Sequence, residues 1–192
     1  MRNFLVVAFV VVLAGGLVWL ALRPSSGSGP GTSATVVERT LAEGLSWIER
    51  EPTTGRLRLK VEADTALRDG DTTTTGPIRA WLYPETGDAP PTEIVSEGGR
   101  LASTGRGDPT IEAVAFDGRT QVRLPERNGR GTGGILVRGS GIRWSRASAR
   151  IESTDPIRME GDTQAWIEGR GFTLDPATRV VRMREVHGQW PM

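Results

Sequence analysis

The sequence predicts an all-β domain carried behind a single N-terminal membrane span, and three observations point there. Phe4–Leu22 is an unbroken apolar run with no charge in it. After it, short segments of alternating apolar and polar residues recur every 8–12 residues. The chain's 25 Gly and 12 Pro fall largely between those segments. Alternation with period two marks half-buried strands, and Gly and Pro between them mark turns, so a sandwich, jelly roll or barrel is expected.

The apolar run is flanked by Arg2 and Arg23. Roughly 20 apolar residues cross a hydrocarbon core of about 30 Å as a helix. The run is longer than the apolar region of a secretory signal, and Trp19-Leu20-Ala21-Leu22-Arg23-Pro24 has no small-x-small cleavage pattern. An uncleaved anchor over 1–23 is expected, with the bulk of the chain across the membrane from the cytoplasm. Residues 24–34 (PSSGSGPGTSA) read as flexible coil, and the linker is drawn to residue 43. Only Val36–Glu43 carries a weak helical periodicity. Residues 44–192 form the expected domain.

The clearest strand is Arg56–Asp64. Leu57, Leu59, Val61 and Ala63 share one face, with Arg58, Lys60, Glu62 and Asp64 on the other. Gly44–Glu49 is its expected hairpin partner across the turn Pro52-Thr53-Thr54-Gly55. Further strands are expected at Ile78–Tyr83, Glu93–Val95, Thr110–Phe116, Gln121–Leu124, Ile135–Val137 and Gly141–Trp144. The series closes with Ala149–Ile151, Ile157–Glu160, Gln164–Glu168, Gly171–Leu174 and Arg179–Met183.

Composition removes several function classes. Lys plus Arg is 24 against 23 Asp plus Glu, a net charge of +1, so no electrostatic footprint for nucleic acid exists. There is no Cys and a single His, His187, so no disulfide framework and no ordinary zinc or copper site is expected. Asp69-Gly70-Asp71 lacks the later ligands of a calcium loop and reads as a tight turn. Gly129–Gly134 reads as a loop, not a phosphate cradle, and Arg106-Gly107-Asp108 as a turn before Pro109. No Gly-x-Ser-x-Gly elbow occurs, and no two carboxylates stand out as a glycosidase pair. No catalytic residue, cofactor or metal is therefore expected.

The C-terminal half carries a resemblance. It presents Ser140-Gly141-Ile142-Arg143-Trp144, then Ala149–Met159 (ARIESTDPIRM), then Gly169-Arg170-Gly171-Phe172-Thr173-Leu174-Asp175, then Val181–Val186 (VRMREV). This succession resembles the LptC family of periplasmic lipopolysaccharide-export proteins, and the OstA-like domain that family shares with LptA and part of LptD. Phe172 stands where the family's motif carries an aliphatic residue and Met183 where it carries Leu. Upstream, Ala63-Asp64-Thr65-Ala66 matches an A-x-x-A strand end. The likeness covers about residues 44–187, and the Pro/Gly/Thr-rich stretches at 69–77 and 84–91 depart from it.

The resemblance implies a twisted, open antiparallel β-jelly roll without enzymatic activity. Such a protein is anchored in the inner membrane with its bulk in the periplasm. It takes lipopolysaccharide or a related glycolipid from inner-membrane ABC transporter subunits and passes it to a soluble OstA-like (LptA-type) partner by edge-strand pairing. The groove candidates are the inward residues Leu57, Leu59, Val61, Ile78, Leu82, Ile111, Ala113, Ile142, Trp144, Ile151, Ile157, Met159, Trp166 and Phe172. The same alternation also serves an ordinary core. The implied partner edge is Val180, Val181, Met183 and Val186. The alternatives are a tethered structural or scaffold β-domain with a closed core, and an anchored carbohydrate-active enzyme.

Overall fold

Alternation over Leu57–Asp69 produces a strand because one face can be buried while every backbone group is paired by its neighbours. The computed structural model describes residues 39–84, 89–104, 110–126, 134–161 and 165–189. The expected anchor, Arg106-Gly107-Asp108 and all of the 129–134 loop except Gly134 lie outside the described residues. The chain divides between Val36 and Val37, and everything described belongs to the second unit.

In chain order the strands are β1 (Arg39–Arg50), β2 (Leu57–Asp69), β3 (Thr72–Thr75), β4 (Ile78–Leu82), β5 (Thr92–Thr104) and β6 (Thr110–Pro125). They continue as β7 (Gly134–Gly139), β8 (Ile142–Ser145), β9 (Arg150–Ser153), β10 (Ile157–Glu160), β11 (Trp166–Asp175) and β12 (Val180–Gln189). Among the described residues no helix is long and apolar enough to cross a membrane.

All twelve strands of the described residues join one antiparallel sheet, which follows chain order closely. β1 pairs β2, whose first half pairs β4 and whose second half pairs β3. β5 pairs β4, β3 and β6. β6 pairs β7 through Thr120–Pro125 and β8 through Ala113–Phe116. β7 then pairs β10 and β8 pairs β9, and both β10 and β9 pair β11, which pairs β12.

Each long strand thus has two halves belonging to two layers, joined at a crease. One layer holds the C-terminal part of β1, the first part of β2, β4, the first part of β5, the second part of β6, β7, β10 and the first part of β11. The other holds β3, the remaining halves, β8 and β9. One core cluster, from Leu59 and Val122 on the first layer to Phe116, Ile151 and Leu174 on the second, fills the space between them.

Glycine makes the crease. At Gly118 (φ 76°), the pair Gly118 and Arg119 of β6 opposes the single Glu97 of β5. This is a bulge with its first residue in the left-handed region, where glycine escapes the Cβ clash. Glu97 braces it: the Arg119 N–H donates to its Oε2 at 3.1 Å and Arg119 Nε to its Oε1 at 2.6 Å. The Arg119 backbone N–H, then its guanidinium, hold the Glu97 carboxyl below its ordinary pKa.

Several expectations change here. Residues 39–43, expected as linker with weak helical character, are strand, because they pair with Thr65–Asp69 and the ladder outweighs local propensity. Thr110–Phe116 and Gln121–Leu124 are one strand, as are Gln164–Glu168 (from Trp166 on) and Gly171–Leu174. Glu93–Val95 extends to Thr104. β3, Thr72–Thr75, falls in the stretch that departs from the resemblance. Asp69-Gly70-Asp71 is the expected tight turn, with Gly70 at φ 61°.

Candidate functional site

The space between the layers is the site to consider. Leu59, Val61, Ile78, Leu82, Ile111, Ile142, Trp144, Ile151, Ile157 and Phe172 all point into it, and none is more than 9 % exposed. Leu57 is half-buried at the mouth, and Met159 packs on the rim of the cluster. These residues form one packed interior. No residue among the described ones leaves a buried side-chain nitrogen or oxygen without a partner. At the mouth, a cavity of about 70 Å³ lies between Leu59, Leu82 and Tyr83 on one layer and Trp144, Ala149 and Ala177 on the other. It is too small for an acyl chain. Beside it, sharing Glu49, Arg58 and Arg146, a wider and more open cavity of about 570 Å³ is bounded by Trp47, Arg50 and Thr110.

Two expected groove residues face outward. Ala113 is displaced by a bulge: Ala102 pairs Ala113 while Ser103 pairs Ile111, leaving Glu112 as an extra residue. The phase flips across it, so Val114 and Phe116 take the inward places with Ile111. Trp166 pairs Glu160, and its ring lies 4.8 Å from the Arg158 guanidinium on the outer face. Its neighbour Ile167 pairs the inward Met159.

The outer face of the first layer is a ladder of opposite charges. Arg79 meets Glu93 at 3.5 Å, Arg138 meets Glu160 at 2.8 Å, and Arg158 meets Glu160 at 3.0 Å. Lys60 sits 4.8 Å above the Trp81 ring. Such partly exposed pairs contribute little stability each, and they give that face a charged, polar character.

The ends of the sheet differ from its middle. Among the described residues β1 pairs only β2, and β12 pairs only β11, so each offers one edge that no described strand covers. On β12, Val180 and Val186 are exposed while Val181 and Met183 pack against the core. All four lie on the edge strand assigned to a partner by the resemblance. β1 presents Leu41, 72 % exposed, and Ile48, 54 % exposed. Exposed His187 lies on β12 beside Glu168.

Sequence reasoning missed the contacts across the mouth. Arg146, in the β8–β9 turn, donates from Nη1 to Glu49 Oε1 at 2.7 Å and from Nη2 to Glu49 Oε2. Its Nε donates to the Ile111 carbonyl at 2.7 Å, and its guanidinium lies 5.9 Å from the Trp144 ring. The hydrogen bond to Glu49 raises the Arg146 pKa above its ordinary value, against the opposing effect of burial. Farther along, Arg179 Nη1 donates to the Pro125 carbonyl at 2.7 Å. Glu49 had one visible signal: it continues the inward phase of Leu45 and Trp47, where a carboxylate needs a partner.

No protein-family model and no curated protein matches the sequence. Among solved structures, the chain is similar to the crystal structure of LptH, the LptA homologous periplasmic component of the conserved lipopolysaccharide transport device from Pseudomonas aeruginosa. The TM-score is 0.50 at 14 % identity, covering 70 % of this chain and 95 % of that one. At that identity the likeness is one of fold: an all-β antiparallel jelly roll.

Proposed function

We propose that the chain is a membrane-anchored, non-catalytic carrier of lipopolysaccharide or a related glycolipid, of the LptC type. It takes the lipid from inner-membrane ABC transporter subunits and hands it to a soluble OstA-like protein docked on the β12 edge. The observation that carries the reading is the interior: two layers joined at the crease line one apolar space that runs between two sheet edges, β1 and β12, each uncovered by any other described strand. The fold shared with a component of a lipopolysaccharide transport device supports it, and so does the apolar run Phe4–Leu22 as an inner-membrane anchor with the domain in the periplasm.

The physical logic is direct. Each exposed CH₂ of an acyl chain costs about 0.8 kcal/mol in water. A folded-over sheet hides the chains between its layers and leaves the sugars in solvent. Unpaired edges normally invite association with another chain, and adding a partner's strand there would extend the apolar space.

The test is a photo-crosslinking amino acid placed at Leu59, Trp144 or Lys60 in the full-length chain, with purified lipopolysaccharide as the probe. Adducts at Leu59 and Trp144 with none at Lys60 are expected. Equal labelling of both faces, or none at all, overturns the carrier reading. A second reading, a tethered scaffold with a permanently closed core, draws on the packed interior described above. It is the one that absence of all adducts would favour.

A further inference from the structure

Between Leu59 and Trp144 the mouth narrows to a cavity of about 70 Å³. Among the described residues, the side-chain hydrogen bonds that cross the mouth run from Arg146 to Glu49 and from Arg179 to Pro125. We infer that these contacts are a latch: they hold the mouth shut, and their release lets the layers part along the glycine crease. The inference rests on the carrier reading for its purpose, but not for its mechanics.

The two ends of the Arg146 contact are built differently. On its own layer Arg146 is fixed three ways: by Nε on the Ile111 carbonyl, by its backbone N–H on the Glu112 carbonyl at 2.8 Å, and by the Trp144 ring. On the opposite layer it holds only the Glu49 carboxylate. Opening therefore costs the Glu49 bonds and leaves the arginine seated. Both groups are less than a quarter exposed, so water screens the pair only partly. Glu49 and Arg146 are 97 residues apart, and the pair serves no local turn.

The second contact is placed likewise. Arg179 sits in the β11–β12 turn with φ 59°, a conformation that L-residues seldom adopt. Asp175 braces that turn by accepting from the Ala177 N–H at 2.9 Å and the Thr178 N–H at 3.1 Å. The strained residue is thus the one that reaches across to Pro125, and strain of this kind persists only where surrounding structure holds it. The mouth cavity lies between the two turns, lined by Ala149 from one and by Pro176 and Ala177 from the other.

The chain has no native Cys, so paired spin labels report the mouth without interference. Labels at Thr53→Cys, in the β1–β2 turn, and Ser148→Cys, in the β8–β9 turn, flank it on opposite layers, and both positions are exposed. In the full-length chain, one short distance population is expected. Glu49→Gln and Glu49→Lys should add a longer one, its share raised roughly tenfold, the factor that about 1.4 kcal/mol makes. The swap Glu49→Lys with Arg146→Glu should restore the short distance, which distinguishes a latch from general loosening. An unchanged distribution in Glu49→Lys, or a swap that opens the mouth further, overturns the latch. Photo-crosslinking of lipopolysaccharide at Leu59 in the same variants separates the two claims. Opening without any adduct upholds the latch and sinks the carrier, whereas equal adducts with unchanged distances sink the latch and keep the carrier.

Discussion

Gly139 offers a prediction that can be worked from atomic contacts. It pairs Ile157, and Gly169 pairs Ile157 from the other side. The side chain of Ile157, 1 % exposed, fills the space that the missing Cβ of Gly139 leaves at the crease, and Met183 occupies the corresponding space at Gly169. A Cβ added at Gly139 would overlap Ile157 Cδ1 and lie 3.1 Å from the Pro156 carbonyl oxygen. Overpacking of this kind costs about 1–3 kcal/mol. The reduced freedom of the unfolded chain returns about 0.4–1 kcal/mol. Gly139→Ala should therefore lose about 1–2 kcal/mol in urea denaturation followed by tryptophan fluorescence. Ile157→Val removes the Cδ1 atom itself and alone costs about 0.5–1.5 kcal/mol. Combined, the two should be less destabilising than their sum by about 1 kcal/mol, because the clash is gone. Strict additivity, or a neutral Gly139→Ala, would refute the crease as described.

Other consequences are as specific. Val114 is buried and Ala113 faces out, so Val114→Asp should cost more than about 4 kcal/mol and Ala113→Asp about 1 kcal/mol or less; reversed costs would restore the sequence-based phase. Ile151→Ala, at a fully buried site, should cost about 2–5 kcal/mol, and a loss under about 1 kcal/mol would mean that the layers are not packed together. The Thr178 backbone N–H, ahead of the other donors and Arg150, holds the Asp175 carboxyl below its ordinary pKa. A lowered folded-state pKa contributes stability above the unfolded value that is lost as pH falls through the folded one. Asp175→Ala should thus be destabilised at neutral pH, with the difference from wild type vanishing in strong acid. A difference that grew towards acid pH would contradict that sign.

How much of this was legible in the sequence depended on the residue. Leu57–Ala63 alternate without interruption, so their inward face could be read directly and is the one observed. Ala113 and Trp166 were misplaced because a period of two extrapolates only until a bulge, and is ambiguous in a continuous apolar run. Glu112 is such a bulge residue, and Ala165-Trp166-Ile167 are three apolar residues in succession, which leave the phase of that strand undetermined. Gly118 and Gly171 look like strand ends, yet here they are bends inside strands, because positive φ at a crease needs the same residue as a turn. Thr72–Thr75 pair with β2 and β5 without any apolar alternation to announce them. Glu49 and Arg146 meet only through the folding of the sheet, which no local pattern encodes.

The central claim is that the inside of the folded sheet, not its outer face, receives the lipid. Fluorine NMR of the full-length chain labelled with 5-fluorotryptophan tests it, with resonances assigned by single substitution. Trp144 lines the mouth, while Trp81 and Trp166 lie outside under cationic side chains. Titration with lipopolysaccharide should shift or broaden the Trp144 resonance and leave those of Trp81 and Trp166 in place. Movement confined to Trp81 and Trp166 would put the lipid on the wrong side of the sheet and contradict the account.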